Sequence, residues 1–233
     1  MNAAREFLEN SVFFGAALSL FAYWAGMLLK KKTGLAIFNP LLISVVIVIA
    51  FLALTKTDYQ KYNAGAKYIS YLLTPATVAL AVPLYKQLEL LKHNVKAILA
   101  GIGTGAVVSM LCVLAMAALF RFSHEEYVTF LPKSITTAIG MGVSEELGGY
   151  PSITAAVIII TGIFGNIIGE PVFRLFRITE PVAKGVALGT SSHAIGTAKA
   201  MEIGETEGAM SSLAIMICGL FTVIGAMIFA NFI

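Results

Sequence analysis

The chain has 233 residues, 58% of them hydrophobic and only 12% charged, with a mean hydropathy of +0.86. A soluble domain carries roughly 25% charged residues, so this balance excludes an ordinary soluble core and implies a polytopic membrane protein. The net charge of +3 is small, and the lysines fall between apolar runs, which fits membrane topology and excludes a nucleic-acid surface.

Phe7 to Leu29 is predicted as a first spanning helix, with Tyr23 and Trp24 as interfacial anchors near one end. It does not read as a cleavable signal, because Arg5 is followed by Glu6 and Glu9, and Lys30-Lys31-Lys32 stand where small residues would be needed. The second helix opens at Phe38-Asn39-Pro40, with Asn39 as its cap and Pro40 in its first turn, and runs to about Leu54. Thr55 to Lys67 reads as a loop of mixed charge. Tyr68 to Tyr85 is barely long enough to span and contains Pro75 and Pro83, which predicts a helix broken at those prolines. Lys86, Lys92 and Lys96 form a second basic loop. Val95 to Phe120 is a regular span whose Gly101, Gly105 and Ala106 suit close helix contact. Leu131 to Gly149 is polar and interrupted. Pro151 to Ile168 is the next span, broken by Gly169-Glu170-Pro171, and Arg174, Arg177 and Lys184 make a third basic loop. Gly185 to Gly208 is again interrupted, and Ala209 to Phe232 is the last span.

The expected fold is therefore all-α, with about six spanning helices plus broken or re-entrant segments, in one integral membrane domain over residues 1–233. Placing the basic loops 30–32, 86–96 and 174–184 in the cytoplasm satisfies the positive-inside rule. A faint internal repeat sets Pro75 against Pro132 and, at the same offset, Thr104-Gly105 against Thr161-Gly162. Secondary transporters are often built from such repeats.

Two stretches carry the chemistry: LPKSITTAIGMGVSEELGG from Leu131 and GVALGTSSHAIGTAKAMEIGETEG from Gly185. Lipid tolerates only helices and closed barrels, so irregular polar backbone at membrane depth is buried in protein or lines a wet cavity. Ionisable groups there point to function. Pro132 is expected to start a helix. Its free N–H groups, with Lys133, Ser134, Thr136 and Thr137, would make a carboxylate cradle. Snorkelling of Lys133 to the interface is the plainer alternative. Glu145 is a candidate for coupling a proton or cation, and Gly140 is an expected break point. In the second stretch Gly185, Gly189, Ser192 and Gly196 recur on one helix face and invite a close neighbour. Gly189 and Gly196 are further expected breaks. Ser191, Ser192, His193 and Thr197 would complete the substrate site, and His193 could also carry a coupling proton near neutral pH. A purely structural histidine is the alternative. Asn166 and Glu170 are secondary candidates, while Glu202, Glu205 and Glu207 read mainly as loop charges. No G-x-S-x-G, H-E-x-x-H or Walker loop occurs, and Cys112 and Cys218 each stand alone in an apolar run. No enzyme, metal site or cofactor is expected.

The runs NPLLI from Asn39, TPATVALAVPLY from Thr74, KSITTAIGMGVSEELGG from Lys133, GNIIG from Gly165 and GTSSHAIGTAKAMEIGETEGAMSSLAI from Gly189 resemble the LrgB/CidB family of bacterial membrane proteins. The resemblance covers nearly the whole chain. Ala138 departs from it, since many members carry proline there. The resemblance implies a multi-pass protein of the bacterial plasma membrane, holin- or antiholin-like, acting with a small LrgA/CidA-type partner on murein hydrolases and autolysis. It also implies kinship with plastid glycolate/glycerate carriers and with pyruvate movement. Polar groups on broken helices favour the second implication. The expectation is a secondary transporter of small monocarboxylate anions in the lipid bilayer, with a homo-oligomer left open. The antiholin-like regulator is the alternative.

Overall fold

The computed structural model describes residues 11, 13–34, 38–79 and 81–233. The start of the expected first helix, residues 7–10, lies outside them. Every regular element among the described residues is a helix. The chain packs as two compact units, Met1–Ala79 and Leu80–Ile233.

The first unit holds α1 (Phe14–Thr33), α2 (Pro40–Thr55), α3 (Tyr59–Ser70) and α4 (Leu73–Ala79). α1 continues through Lys30, Lys31 and Lys32 and stops at Gly34, whose φ of 65° ends it. The three lysines therefore sit in the last helical turn rather than in a loop, where cations meet the negative end of the helix dipole. α2 starts where the sequence places it: Asn39 Oδ1 accepts from the N–H groups of Leu41 and Leu42 at 2.9 and 3.2 Å. The expected loop from Thr55 to Lys67 is mostly helix α3. Asp58 caps it by accepting from the Gln60 N–H at 3.0 Å, and Tyr62 hydrogen-bonds Ser19 of α1 at 2.8 Å. Polar residues along its outer face give α3 the composition of a loop.

The break expected in 68–85 is present. Pro83 lies within the helical residues Ala81–Lys86 (α5), and Pro75 stands in the first turn of α4. An amide N–H has no intrahelical partner there, so proline costs nothing. Pro75 thus falls at the start of a short helix rather than kinking a long one.

The second unit adds α6 (Leu88–Phe120), α7 (His124–Phe130), α8 (Thr137–Glu146), α9 (Pro151–Leu175), α10 (Pro181–Ile203) and α11 (Glu205–Phe229), then a short 3₁₀ turn at Ala230–Phe232. α6 takes Lys92 and Lys96 into its own first turns instead of leaving them in a loop. A capping box starts α7: the Ser123 N–H donates to the Glu126 carboxylate at 2.9 Å, and the Glu126 N–H to Ser123 Oγ at 3.3 Å. α9 runs straight through Gly169-Glu170-Pro171, correcting the expected break. Gly169 is there for its neighbour, since a Cβ would lie 2.8 Å from Leu188 Cδ2. Pro171 stands about one turn from the helix end.

Two of the glycines expected to break helices do contact work instead. Gly140 lies inside the continuous α8, and a Cβ there would press on Ile158 and lie 3.3 Å from the Pro132 carbonyl oxygen. Gly189 is where α10 meets α11, with Ala214 Cβ 2.8 Å from the position a Cβ would take. Where lipid removes the hydrophobic drive, small residues that let backbones approach supply the packing. The interruption of α10 falls between Gly189 and Gly196, at His193, with φ 43° and ψ −136°. Gly196 follows it because the chain turns back there onto the Leu188 carbonyl, leaving no room for a side chain.

The core of this unit has two main clusters. Ile98, Ile102 and Ala106 of α6 pack with Ile135, Met210, Ala214 and Cys218. Met110 and Val113 pack with Tyr127, Leu131, Val143 and Ala226. Among the described residues three helices are long and apolar enough to cross a membrane: Lys92–Phe120, Pro151–Leu175 and Glu205–Phe232. Pro40–Thr55 is apolar but has only 16 residues.

Candidate anion-binding cleft

Between α7 and α8 the backbone leaves the helix for a pair of turns. The Lys133 N–H donates to the Phe130 carbonyl at 3.1 Å, and the Ile135 N–H to the Pro132 carbonyl at 3.4 Å. Leu131 and Ile135, both 1% exposed, anchor the two ends of these turns in the two core clusters. Pro132 does not start a helix as expected. The helix begins at Thr137 with Thr136 as its cap, and Thr136 makes no side-chain capping bond.

Lys133 is half-buried. Its Nζ donates to Ser134 Oγ at 3.1 Å, and Ser134 Oγ hydrogen-bonds Ser109 Oγ at 3.0 Å. Ser109 lies near the middle of the apolar stretch Lys92–Phe120, so this chain of polar groups sits deep along that helix. No carboxylate among the described residues lies within 4 Å of Lys133. Three other cations of this unit do have one: Lys199 pairs with Glu170 at 2.6 Å and Glu202 at 3.3 Å, Arg174 with Glu170 at 2.9 Å, and Lys86 with Glu205 at 3.0 Å. A charge withdrawn from water and left unpaired is costly. The arrangement around Lys133 therefore suits an anion.

Lys133 faces a cleft of about 1260 Å³ within the second unit, formed by α6, α9, the first half of α10 and the 131–136 turns. On α6 the lining runs from Leu90 to Cys112, about 33 Å of helix at 1.5 Å per residue. Lys133, Ser134, Ser109 and Cys112 mark one end, and Asn94 and Glu180 the other. Thr104, Thr161, Thr190, Ser191 and Ser192 lie between them on largely apolar walls. Ser191 Oγ donates to the Ala187 carbonyl at 2.7 Å and is 3.0 Å from Ser192 Oγ. Thr190 Oγ1 is buried without a hydrogen-bond partner.

Lys133, Ser134, Ser191 and Ser192 thus line one cleft. Thr136 and Thr137 do not line it. His193 and Thr197 do not line it either; they hold the kink in α10. His193 is 3% exposed, with Nε2 donating to the Ile158 carbonyl of α9 at 2.9 Å. Gly162 makes room for the imidazole, since a Cβ there would lie 2.7 Å from Cε1 and Nε2. Thr197 Oγ1 reaches the His193 carbonyl at 3.1 Å and Ser211 Oγ of α11 at 2.7 Å. Asn166 Nδ2 donates to the Ile195 carbonyl at 3.1 Å. Asn166 of α9 and Thr197 of α10 itself thus bond backbone carbonyls at the kink, and Ser211 of α11 holds the Thr197 hydroxyl. Glu145 is exposed near the end of α8 and does not line the cleft.

Sequence inspection missed Ser109, Thr104, Thr161 and Thr190. A signal was there for three of them. Thr104 and Thr161 are the pair matched by the faint repeat, and both line the cleft. Gly101, Gly105 and Ser109 fall at four-residue steps on an otherwise apolar helix, marking one face.

A family model described as the LrgB-like family matches residues 19–232. This chain belongs to the LrgB-like family. Among its relatives, the antiholin-like protein LrgB of Bacillus cereus is 39% identical over 222 residues, covering 95% of this chain and 96% of that protein. The antiholin-like protein LrgB of Bacillus anthracis matches to the same extent. No solved structure matches the chain. With its three long apolar helices, this LrgB-like protein is an all-helical membrane protein.

Proposed function

We propose that this LrgB-like protein is an antiholin-like regulator of the bacterial plasma membrane. In this reading it crosses the membrane about six times, with the interrupted segments completing the count. It restrains murein hydrolase activity and autolysis together with a small LrgA/CidA-type membrane protein. The observation that carries this is the 39% identity, over 95% of the chain, to proteins named antiholin-like. The test is the autolysis rate of a bacterial host deleted for its own family member, complemented with this chain alone or with the small partner. Slower lysis in the complemented strains supports the proposal, and an unchanged rate in both contradicts it.

Lys133 favours a second activity. An ammonium with no carboxylate within 4 Å among the described residues, hydrogen-bonded to Ser134 at one end of a cleft, suits a small monocarboxylate of the pyruvate or glycolate class. The carboxylate would accept from Lys133 Nζ and from nearby serine hydroxyls, and the charge-assisted bond would be the stronger one. The kink at His193 would let the two halves of α10 tilt separately, as alternating access requires. Glu145 is the candidate in this reading for carrying a coupling proton. A lytic pore leaks solutes of unrelated size and charge without saturation. A carrier gives saturable, stereoselective flux, and a partner-dependent scaffold gives none until the LrgA-type protein is added.

A further inference from the structure

We infer that the Lys133 cleft accepts monocarboxylates that carry an apolar chain, and binds them more tightly than the three-carbon acids. This rests on the proposal above that the cleft is a carboxylate site. The first observation is size. At about 1260 Å³ the cleft exceeds the roughly 300–1,000 Å³ of ordinary small-ligand pockets, so a three-carbon acid at Lys133 would leave most of it unfilled. The second is the lining. Beyond Lys133 the walls are mostly apolar, with Val108, Phe164, Ile168, Val172 and Val186 among them and a few threonine and serine hydroxyls between, so they reward contact with an apolar body more than with a hydrophilic one. The third is charge. Among the cleft-lining residues Lys133 is the one cation and Glu180, at the far end, is the one carboxylate. Lys133 attracts a single anionic head, while Glu180 disfavours a second one. Together these select an acid with one carboxylate and an apolar tail, and reject dicarboxylates.

The chain carries its own reporter. Cys112 is exposed and lines the cleft at the Lys133 end, whereas Cys218 is buried. The experiment is alkylation of Cys112 by N-ethylmaleimide in nanodisc-embedded full-length protein. Straight-chain carboxylic acids of increasing length are the protectants, and alcohols of the same chain length control for partition into lipid. The expected result is protection by the acids, with the half-protecting concentration falling about fourfold per added methylene until the cleft is filled, as the transfer of one methylene implies. The alcohols should protect weakly, and Lys133→Gln should remove the advantage of the acids. A half-protecting concentration independent of chain length overturns this inference and leaves the carboxylate site standing. Equal protection by acids and alcohols, or a Cys112 already shielded by a second copy or by lipid without added acid, overturns it too. No protection by any acid removes both this inference and the carboxylate reading. The length series needs only the wild-type protein, so a poorly folded variant does not blunt it.

Discussion

His193 Nε2 lies 2.9 Å from the carbonyl oxygen of Ile158, and both residues are buried. A carbonyl only accepts, so this ring nitrogen carries the proton. The bond ties the one non-helical residue of α10 to α9 and makes His193 a structural support of the kink. His193→Ala should lower stability by about 1–3 kcal/mol, the cost of a buried hydrogen bond whose partner is stranded. The check is thermal unfolding of the detergent-solubilised protein. Gly162→Ala, which pushes on the same imidazole, should lower the melting temperature as well, and the double variant should fall short of the sum. Additive losses would mean that the two residues do not share one contact.

Two glycines of α8 make opposite predictions. A Cβ at Gly140 would press on Ile158, while at Gly142 nothing lies within 4 Å. Gly140→Ala should destabilise by about 1–3 kcal/mol through overpacking. Gly142→Ala should be neutral or stabilise by up to about 1 kcal/mol, because alanine is the better helix former. Equal melting temperatures for both variants would contradict the packing described around Gly140.

Thr154 joins three segments. Its Oγ1 lies 2.7 Å from Ser144 Oγ of α8 and 2.9 Å from the Thr129 carbonyl of α7, and the residue is 0% exposed. Thr154→Val keeps the shape and deletes the hydroxyl, and should cost about 1–3 kcal/mol. Thr154→Ser should retain most of the wild-type stability. A valine variant that melts with the wild type would show that this junction is not held by its hydrogen bonds.

The membrane class, the break just before Pro75 and the interruption between Gly189 and Gly196 were legible in the sequence, because apolar runs, prolines and glycines leave local signatures. That Lys133 and Ser134 would share a cleft with Ser191 and Ser192 was legible too, since polar groups in apolar surroundings must be accommodated somewhere. The identity of each glycine's task was not legible. Gly140, Gly169 and Gly189 look like breaks in one dimension and are contacts in three. His193 and Thr197 looked like ligand groups because nothing in the chain order shows that Ile158 and Ser211 come to meet them. Helix α3 and the early start of α6 were hidden by lysines and other polar residues, which read as loop until a neighbouring helix is seen to cover the other face.

The cleft at Lys133 is tested most directly by uptake of labelled pyruvate and glycolate into proteoliposomes, comparing wild type with Lys133→Gln at equal reconstituted amounts. The account predicts saturable uptake by the wild type. It predicts a loss of about tenfold or more in the variant, since a charge-assisted hydrogen bond is worth about 1.5–3 kcal/mol. Equal uptake by both proteins, or flux that rises linearly with concentration and never saturates, would contradict it.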